Sequence, residues 1–154
     1  MDYQSRFCIA ILAGKKGNAY PFLNTFEVML KACFHNLANA KGIDILEIEE
    51  CIDHYDREIN DCAFHPRSDQ SVQVHLNDVQ WHLKRQCDEE GMLLEDIDLL
   101  GFNLFLGKIP RNSKYKKSHF FPNNEFVRQW QKWSQESDSI EMSNVIVLNE
   151  FKKI

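Results

Sequence analysis

The sequence predicts an α+β fold in which a small sheet, including an N-terminal and a C-terminal strand, packs against about four helices. In four segments, apolar residues recur at spacings of three and four, which is typical of amphipathic helices. Compact apolar runs at residues 6–13 and 144–148 are typical of strands. Three consecutive helices between the early and late strands do not match an alternating βαβ array, so a Rossmann-type domain is not predicted.

Length and composition fit one globular domain spanning residues 1–154. The 154 residues are 44% hydrophobic and 27% charged, which is enough apolar material for a core that needs no disulfide or structural metal to stabilise it. The apolar run after residue 6 is too short for a secretory signal, and no run approaches the length of a membrane span. The five scattered cysteines indicate reduced thiols. We therefore expect a cytoplasmic protein.

The first half of the chain reads as a strand followed by two helices. Residues 6–13 are apolar on both alternating faces, which favours a central strand covered on both sides. After a loop at residues 14–18, a wide apolar stripe predicts the main core helix over residues 20–39, with Gly42 as its stop. The clearest amphipathic helix follows at residues 44–59, with Asp44 as N-cap and Glu47 at the capping-box position. Its apolar stripe comprises Ile45, Ile48, Ile52, Tyr55 and Ile59.

The second half is less regular. Ser68 or Asp69 caps a helix that runs to about residue 90; the alternative is a short strand at 71–76 followed by a helix capped by Asn77. Residues 99–109 are predicted as a strand, and residues 111–124 as a long basic and aromatic loop. A helix at 124–135 and a β-branched strand at 144–148 complete the order.

Charge is distributed unevenly along the chain. The formal net charge is -5, yet residues 44–98 carry a local charge of -12 and residues 108–132 a local charge of +6. Such asymmetry concerns partners and association rates more than the fold. The two segments either neutralise each other within the molecule or face partners of opposite charge.

No motif for catalysis or for a cofactor is present. Gly14-Lys15-Lys16-Gly17 lacks the spacing of a phosphate-binding loop, so a charged turn is favoured over an anion site. Nucleophile-elbow, zinc-protease and kinase signatures are missing from the sequence. The pairs Cys51-x-x-His54 and Cys62-x-x-His65 offer zinc ligands, but the intervening helix separates them. We therefore predict a protein that is not an enzyme and uses neither a metal nor a cofactor; an enzyme of unrecognised type that uses the turn at residues 14–17 is the third hypothesis.

The acidic helix is the leading candidate for a binding surface. Carboxylates on a rigid helix suit a basic protein partner, such as a toxin or nuclease, and Leu46 supplies an apolar anchor among them. By analogy with its class, a small acidic protein of this kind is an inhibitor, antitoxin or immunity-like factor. The predicted partner-binding residues are Leu46, Glu47, Glu50, Asp53, Glu58 and Asp61.

The basic segment at residues 108–132 provides the alternative function. Lysines that meet phosphates, interleaved with aromatic rings that stack on bases, are typical of single-strand and RNA binders. The aromatic residues equally fit anchoring of the segment to the core. The candidate residues for a nucleic-acid-binding accessory protein are Lys114, Lys116, Lys117, Phe120 and Arg128.

Overall fold

The chain has an α+β fold that is mostly helical, as seen in a computed structural model that describes residues 4–12, 19–59, 70–113 and 116–137. Within these ranges there are five α-helices and one antiparallel hairpin. The helices are α1 (Ala19–Ala40), α2 (Ile45–Glu58), α3 (Gln70–Glu90), α4 (Leu99–Leu106) and α5 (Pro122–Ser137). The strands are β1 (Arg111–Ser113) and β2 (Lys116–Phe120).

Local signals in the sequence explain where α1 and α2 end and begin. Gly42 has a φ of +74°, the left-handed conformation that glycine adopts without steric cost, and it follows the last turn of α1. The Asp44 carboxylate then accepts a hydrogen bond from the Leu46 backbone N–H at 2.9 Å, which caps α2. The predicted helices at 20–39 and 44–59 are therefore confirmed.

Aromatic stacking joins three helices and the N-terminal segment into the main core. Trp130 of α5 stacks on Phe34 of α1, with ring centroids 4.3 Å apart, and on Tyr55 of α2 at 5.1 Å. Phe7 stacks on Phe126 of α5 at 4.1 Å. Such pairs contribute roughly 0.5–1.5 kcal/mol each beyond their buried area. The faces of α1, α2 and α5 are thereby fixed relative to one another.

The predicted N-terminal strand at residues 6–13 is not formed. Residues 6–12 belong to no helix or strand, although Phe7 and Cys8 are buried as the apolar pattern requires. A side chain takes the place of a neighbouring strand: Asn103 of α4 accepts a hydrogen bond from the Ala10 N–H at 2.7 Å and donates one to the Ala10 carbonyl at 3.1 Å. The buried backbone is satisfied without a sheet.

The predicted strand at residues 99–109 is also wrong, because residues 99–106 form α4. Asp98 caps this helix by accepting a hydrogen bond from the Gly101 N–H at 3.0 Å. The pattern of a short apolar run does not distinguish a buried strand from a buried helix. Here the N-cap at Asp98 favours the helix. On one side of α4, Phe102 and Leu106 pack with Cys8 and Ile97 in a second, smaller core cluster.

The segment predicted as a loop, residues 111–124, forms the β1–β2 hairpin and the start of α5. Its position is fixed at Gly107, whose carbonyl accepts a hydrogen bond from the Asn123 N–H at 3.1 Å. A side chain at position 107 would overlap the buried Asn123 amide, so glycine is required here for close approach. Pro122 opens α5, in the first-turn position where its missing N–H costs nothing.

Helix α3 lies at the edge of the packed structure. It is helical from Gln70, which confirms the predicted helix and excludes the alternative strand at 71–76. None of its described side chains is fully buried, and Val79, Leu83 and Cys87 pack only partly buried against the second cluster. The predicted C-terminal strand at 144–148 lies outside the described residues.

Candidate functional site

The outward face of α2 brings together the central residues of the predicted partner-binding site. At 3.6 residues per turn, Leu46, Glu50 and Asp53 fall within about 60° of one another around the helix. All three are exposed, as is Glu49 beside them, and the Leu46 side chain is 66% accessible. Within the described part of the chain, the carboxylates of Glu49, Glu50 and Asp53 make no hydrogen bond or ion pair. We call these four residues the α2 acidic face.

Other carboxylates in the acidic segment have partners inside the molecule. Glu47 faces α5 and accepts a hydrogen bond from the Gln131 side chain at 2.7 Å. Asp56 forms an ion pair with Lys31 of α1. Glu58 is exposed but lies about 120° around the helix from Leu46, away from the acidic face. Asp61 lies outside the described residues.

Two of the predicted nucleic-acid-binding residues, Phe120 and Arg128, have described side chains, and neither is available as predicted. The Phe120 ring is only 7% accessible, so it packs into the protein instead of offering a face for a base. Arg128 is exposed but forms an ion pair with Glu125 at 2.7 Å. Lys114 lies outside the described residues, as do the side chains of Lys116 and Lys117. Of the predicted nucleic-acid-binding residues whose side chains are described, Phe120 offers no exposed ring and Arg128 is already paired.

A buried polar cluster that the sequence patterns did not indicate lies between α3, β1 and the N-terminal segment. Arg111 of β1 donates a hydrogen bond from Nη1 to Asp78 Oδ2 of α3 at 2.6 Å. His82 Nε2 lies 3.7 Å from the other Asp78 oxygen. The Arg111 side chain is only 13% accessible. This ion pair joins the acidic and basic segments within one molecule and neutralises one charge of each.

Two further titratable groups near this cluster, His75 and Cys8, have shifted pKa values. Burial, together with the nearby positive charges of Arg111 and Arg6, lowers the pKa of His75 to about 4. Burial also raises the pKa of the Cys8 thiol, which keeps it protonated at neutral pH. Arg6 itself is 4% accessible. The cluster therefore carries two buried guanidinium groups beside a neutral imidazole and a neutral thiol.

Linear spacing cannot reveal this cluster, because its members come from three separate segments. The available signal was Arg6 at the start of the apolar run 6–13, since an arginine next to a buried segment is a candidate for a buried charge.

The cysteine–histidine pairs are described only in part. Cys51 Sγ lies 3.2 Å from Ser134 Oγ of α5, and His54 packs edge-on against Trp133 with centroids 4.6 Å apart. Both side chains are thus used in helix packing. Cys62 and His65 lie outside the described residues, as does the turn Gly14-Lys15-Lys16-Gly17. In the described ranges, no group of three or more histidine, cysteine or acidic residues is arranged to hold a metal.

A shallow groove of about 470 Å³ runs between α3 and α4. Its lining includes Phe102 and Phe105 together with an Arg85–Glu89 ion pair. His82 lines the groove and also faces Asp78, so the groove lies next to the buried cluster. None of the helices among the described residues has the length and apolar character needed to cross a membrane.

Comparison with known proteins gives one match. The family model described as Domain of unknown function (DUF6933) matches residues 1–125, which include every described element except most of α5. No curated protein and no solved structure matches the chain.

Proposed function

We propose that this chain, which belongs to the DUF6933 family, is a non-catalytic cytoplasmic protein-binding factor that presents the α2 acidic face to a basic protein partner. Its role would be that of an inhibitor, antitoxin or immunity-like factor acting on a partner such as a nuclease. The class assignment is an analogy from size, charge and the absence of catalytic motifs in the sequence.

One observation carries this proposal. Glu49, Glu50 and Asp53 are exposed on one helix face and have no polar partner in the described structure, whereas Glu47 and Asp56 nearby are paired inside the molecule. Unpaired like charges side by side repel one another and lower the stability of the free protein. A positively charged surface would remove that repulsion.

Leu46 gives the same face an apolar component. It is 66% accessible, although it lies in a helix whose opposite side is well buried. Protein interfaces commonly place an apolar anchor within a charged surround, because the anchor supplies affinity and the charges supply orientation and speed of encounter. The α2 acidic face has both parts.

The proposal is tested by isolating partners from the native host's lysate with the purified protein, with and without nuclease treatment. We expect a stoichiometric basic protein whose recovery survives nuclease. Its affinity should fall at least about tenfold in the double variant Glu50→Lys/Asp53→Lys, since charge reversal turns attraction into repulsion.

A matched control changes the net charge by the same amount elsewhere. Asp88→Lys/Glu90→Lys on α3 alters two exposed carboxylates outside the proposed face. We expect this variant to bind within a few-fold of the unaltered protein. Equal losses in both double variants would mean that overall charge, and not the α2 acidic face, controls binding, and the site assignment would be wrong.

The alternative function, a nucleic-acid-binding accessory protein that uses Lys114, Lys116, Lys117, Phe120 and Arg128, predicts different behaviour in the same experiment. Partners would disappear on nuclease treatment, and binding would weaken steeply as salt concentration rises. The burial of Phe120 and the pairing of Arg128 with Glu125 make this the less favoured proposal.

A further inference from the structure

The edge of the Arg111 guanidinium opposite Asp78 has no hydrogen-bonding partner. Nη1 bonds to Asp78, but Nε and Nη2 are both buried and make no hydrogen bond within the described part of the chain. In a planar guanidinium, these two nitrogens direct parallel N–H bonds from one edge. A charged N–H donor that is buried without an acceptor lowers the stability of the folded protein, because it loses the hydrogen bond that it makes to water in the unfolded chain.

The charge balance around Arg111 favours an additional negative charge. Arg6 and Arg111 are both buried cations close enough to lower the pKa of His75, and Asp78 is the carboxylate that opposes them there. At neutral pH the imidazole and the Cys8 thiol add no negative charge. The Arg111 guanidinium therefore favours a second anionic group, since only its Nη1 is paired with a carboxylate among the described residues.

The backbone aims this side chain inward. The pairing of β1 with β2 is irregular between Arg111 and Ser113, and such irregularities redirect side chains at the ends of strands. Arg111 is thereby carried from the hairpin to α3, where Asp78 holds one edge of its guanidinium group. The second edge is held in a fixed orientation as a consequence.

We propose that Arg111 is the centre of an anion-binding site whose ligand is a single carboxylate or phosphate group, held by the Nε and Nη2 edge and surrounded by Arg6, His75 and Cys8. The parallel N–H pair matches two oxygens of either group in a bidentate arrangement. Because the donors are buried, the site accepts one small oxyanionic group and excludes an extended polyanion such as a nucleic-acid backbone.

The site is tested on the full chain with two probes, inorganic phosphate and acetate, each compared with chloride at equal ionic strength. We expect the thermal midpoint of unfolding to rise with the logarithm of phosphate or acetate concentration in the millimolar range, because a ligand that binds only the folded state stabilises it. A response to phosphate alone identifies a phosphate-bearing ligand, and a response to acetate identifies a carboxylate. If neither anion shifts the midpoint, the proposal is wrong.

Two variants at the site distinguish specific binding from a general salt effect. Arg111→Lys keeps a cation opposite Asp78 but removes the parallel N–H pair, and we expect about tenfold weaker binding or worse. Asp78→Asn removes the opposing carboxylate and should strengthen binding. Arg128→Lys, at an exposed ion pair on α5, is the matched control and should bind as the unaltered protein does. Equal anion affinity in the Arg111→Lys and Arg128→Lys variants would overturn the assignment.

Discussion

At the scale of single residues, His75 stays unprotonated beside the two arginines of the buried cluster, which limits the positive charge there. A protonated imidazole beside Arg6 and Arg111 would place three positive charges in one buried region. Burial and these neighbours instead hold the pKa of His75 at about 4, against its ordinary value of 6.5, while Asp78 opposes the effect. The His75 imidazole is therefore mostly neutral in the folded protein at any pH above about 4.

This depressed pKa predicts a pH dependence of stability. As pH falls below about 6.5, the unfolded chain binds a proton at His75 and the folded chain does not, so folding loses stability until the pH reaches about 4. Because the imidazole is only partly buried, we expect a loss on the order of 1–2 kcal/mol. Urea unfolding at pH 7 and pH 4.5 measures it.

Other groups titrate over the same range, so the comparison must be between variants. His75→Gln should show a smaller loss of stability on acidification than the unaltered protein. His35→Gln, at an exposed position on α1, should show the same loss as the unaltered protein. Identical pH profiles for all three proteins would contradict the assignment to His75.

At the scale of elements, α4 holds the N-terminal segment through Asn103. This side chain is fully buried and satisfies both backbone groups of Ala10. Asn103→Leu keeps the branched shape of the side chain but leaves the Ala10 N–H and carbonyl unpaired, which should destabilise the protein by about 2–4 kcal/mol. Thermal unfolding measures the loss, and hydrogen exchange should show the Ala10 amide deprotected.

The control for this variant removes an exposed amide from a helix. Asn36→Leu on α1 gives up only a side-chain hydrogen bond to the Ala32 carbonyl at the surface, so its effect should stay within about 0.5 kcal/mol. If Asn103→Leu were equally mild, the hydrogen bonds to Ala10 would not be what fixes the N-terminal segment.

Elements with a long amphipathic stripe were predictable from the sequence, and short apolar runs were not. Helices α1, α2, α3 and α5 follow from apolar spacing and from caps such as Asp44 and Gly42. Residues 6–13 and 99–109 are apolar on all sides, and such runs do not distinguish a strand from a buried helix or an irregular segment. The partner of Ala10 is a side chain 93 residues away, which no local pattern reveals.

Site residues on one helix were likewise predictable from the sequence, and site residues that meet through tertiary contacts were not. Leu46, Glu50 and Asp53 share one face because they share one helix, so their spacing sufficed to place them together. Glu47 accepts a hydrogen bond from Gln131 of α5, a tertiary contact that its position in the sequence does not indicate. Arg111 and Asp78 meet across 33 residues, and the sequence contains no sign of that pairing.

At the scale of the whole molecule, burial is unequal between the two sides. Helices α1, α2 and α5 share the aromatic core around Trp130, whereas α3 has no fully buried side chain among those described. Regions with few buried apolar contacts open at lower free energy than the core. We expect amide protons of α3 to exchange with solvent at least about tenfold faster than those in the centre of α1.

Hydrogen exchange followed by mass spectrometry measures this difference, with α5 as the internal control. That helix is shorter than α1 and α3, with 16 residues against 22 and 21, but it buries Phe126, Val127 and Trp130, so it should exchange as slowly as α1. Uniform protection of all three helices would show that α3 unfolds only with the rest of the protein.

The contact between Ala10 and Asn103 has a consequence for synthesis of the chain on the ribosome. Ala10 emerges 93 residues before the side chain that satisfies its backbone. At ordinary rates of translation, this interval is about 5–20 s. Throughout it, α4 is incomplete and α5, whose Phe126 stacks on Phe7, has not been made. We therefore expect chaperones that bind short extended apolar peptides to recognise the nascent N-terminal segment.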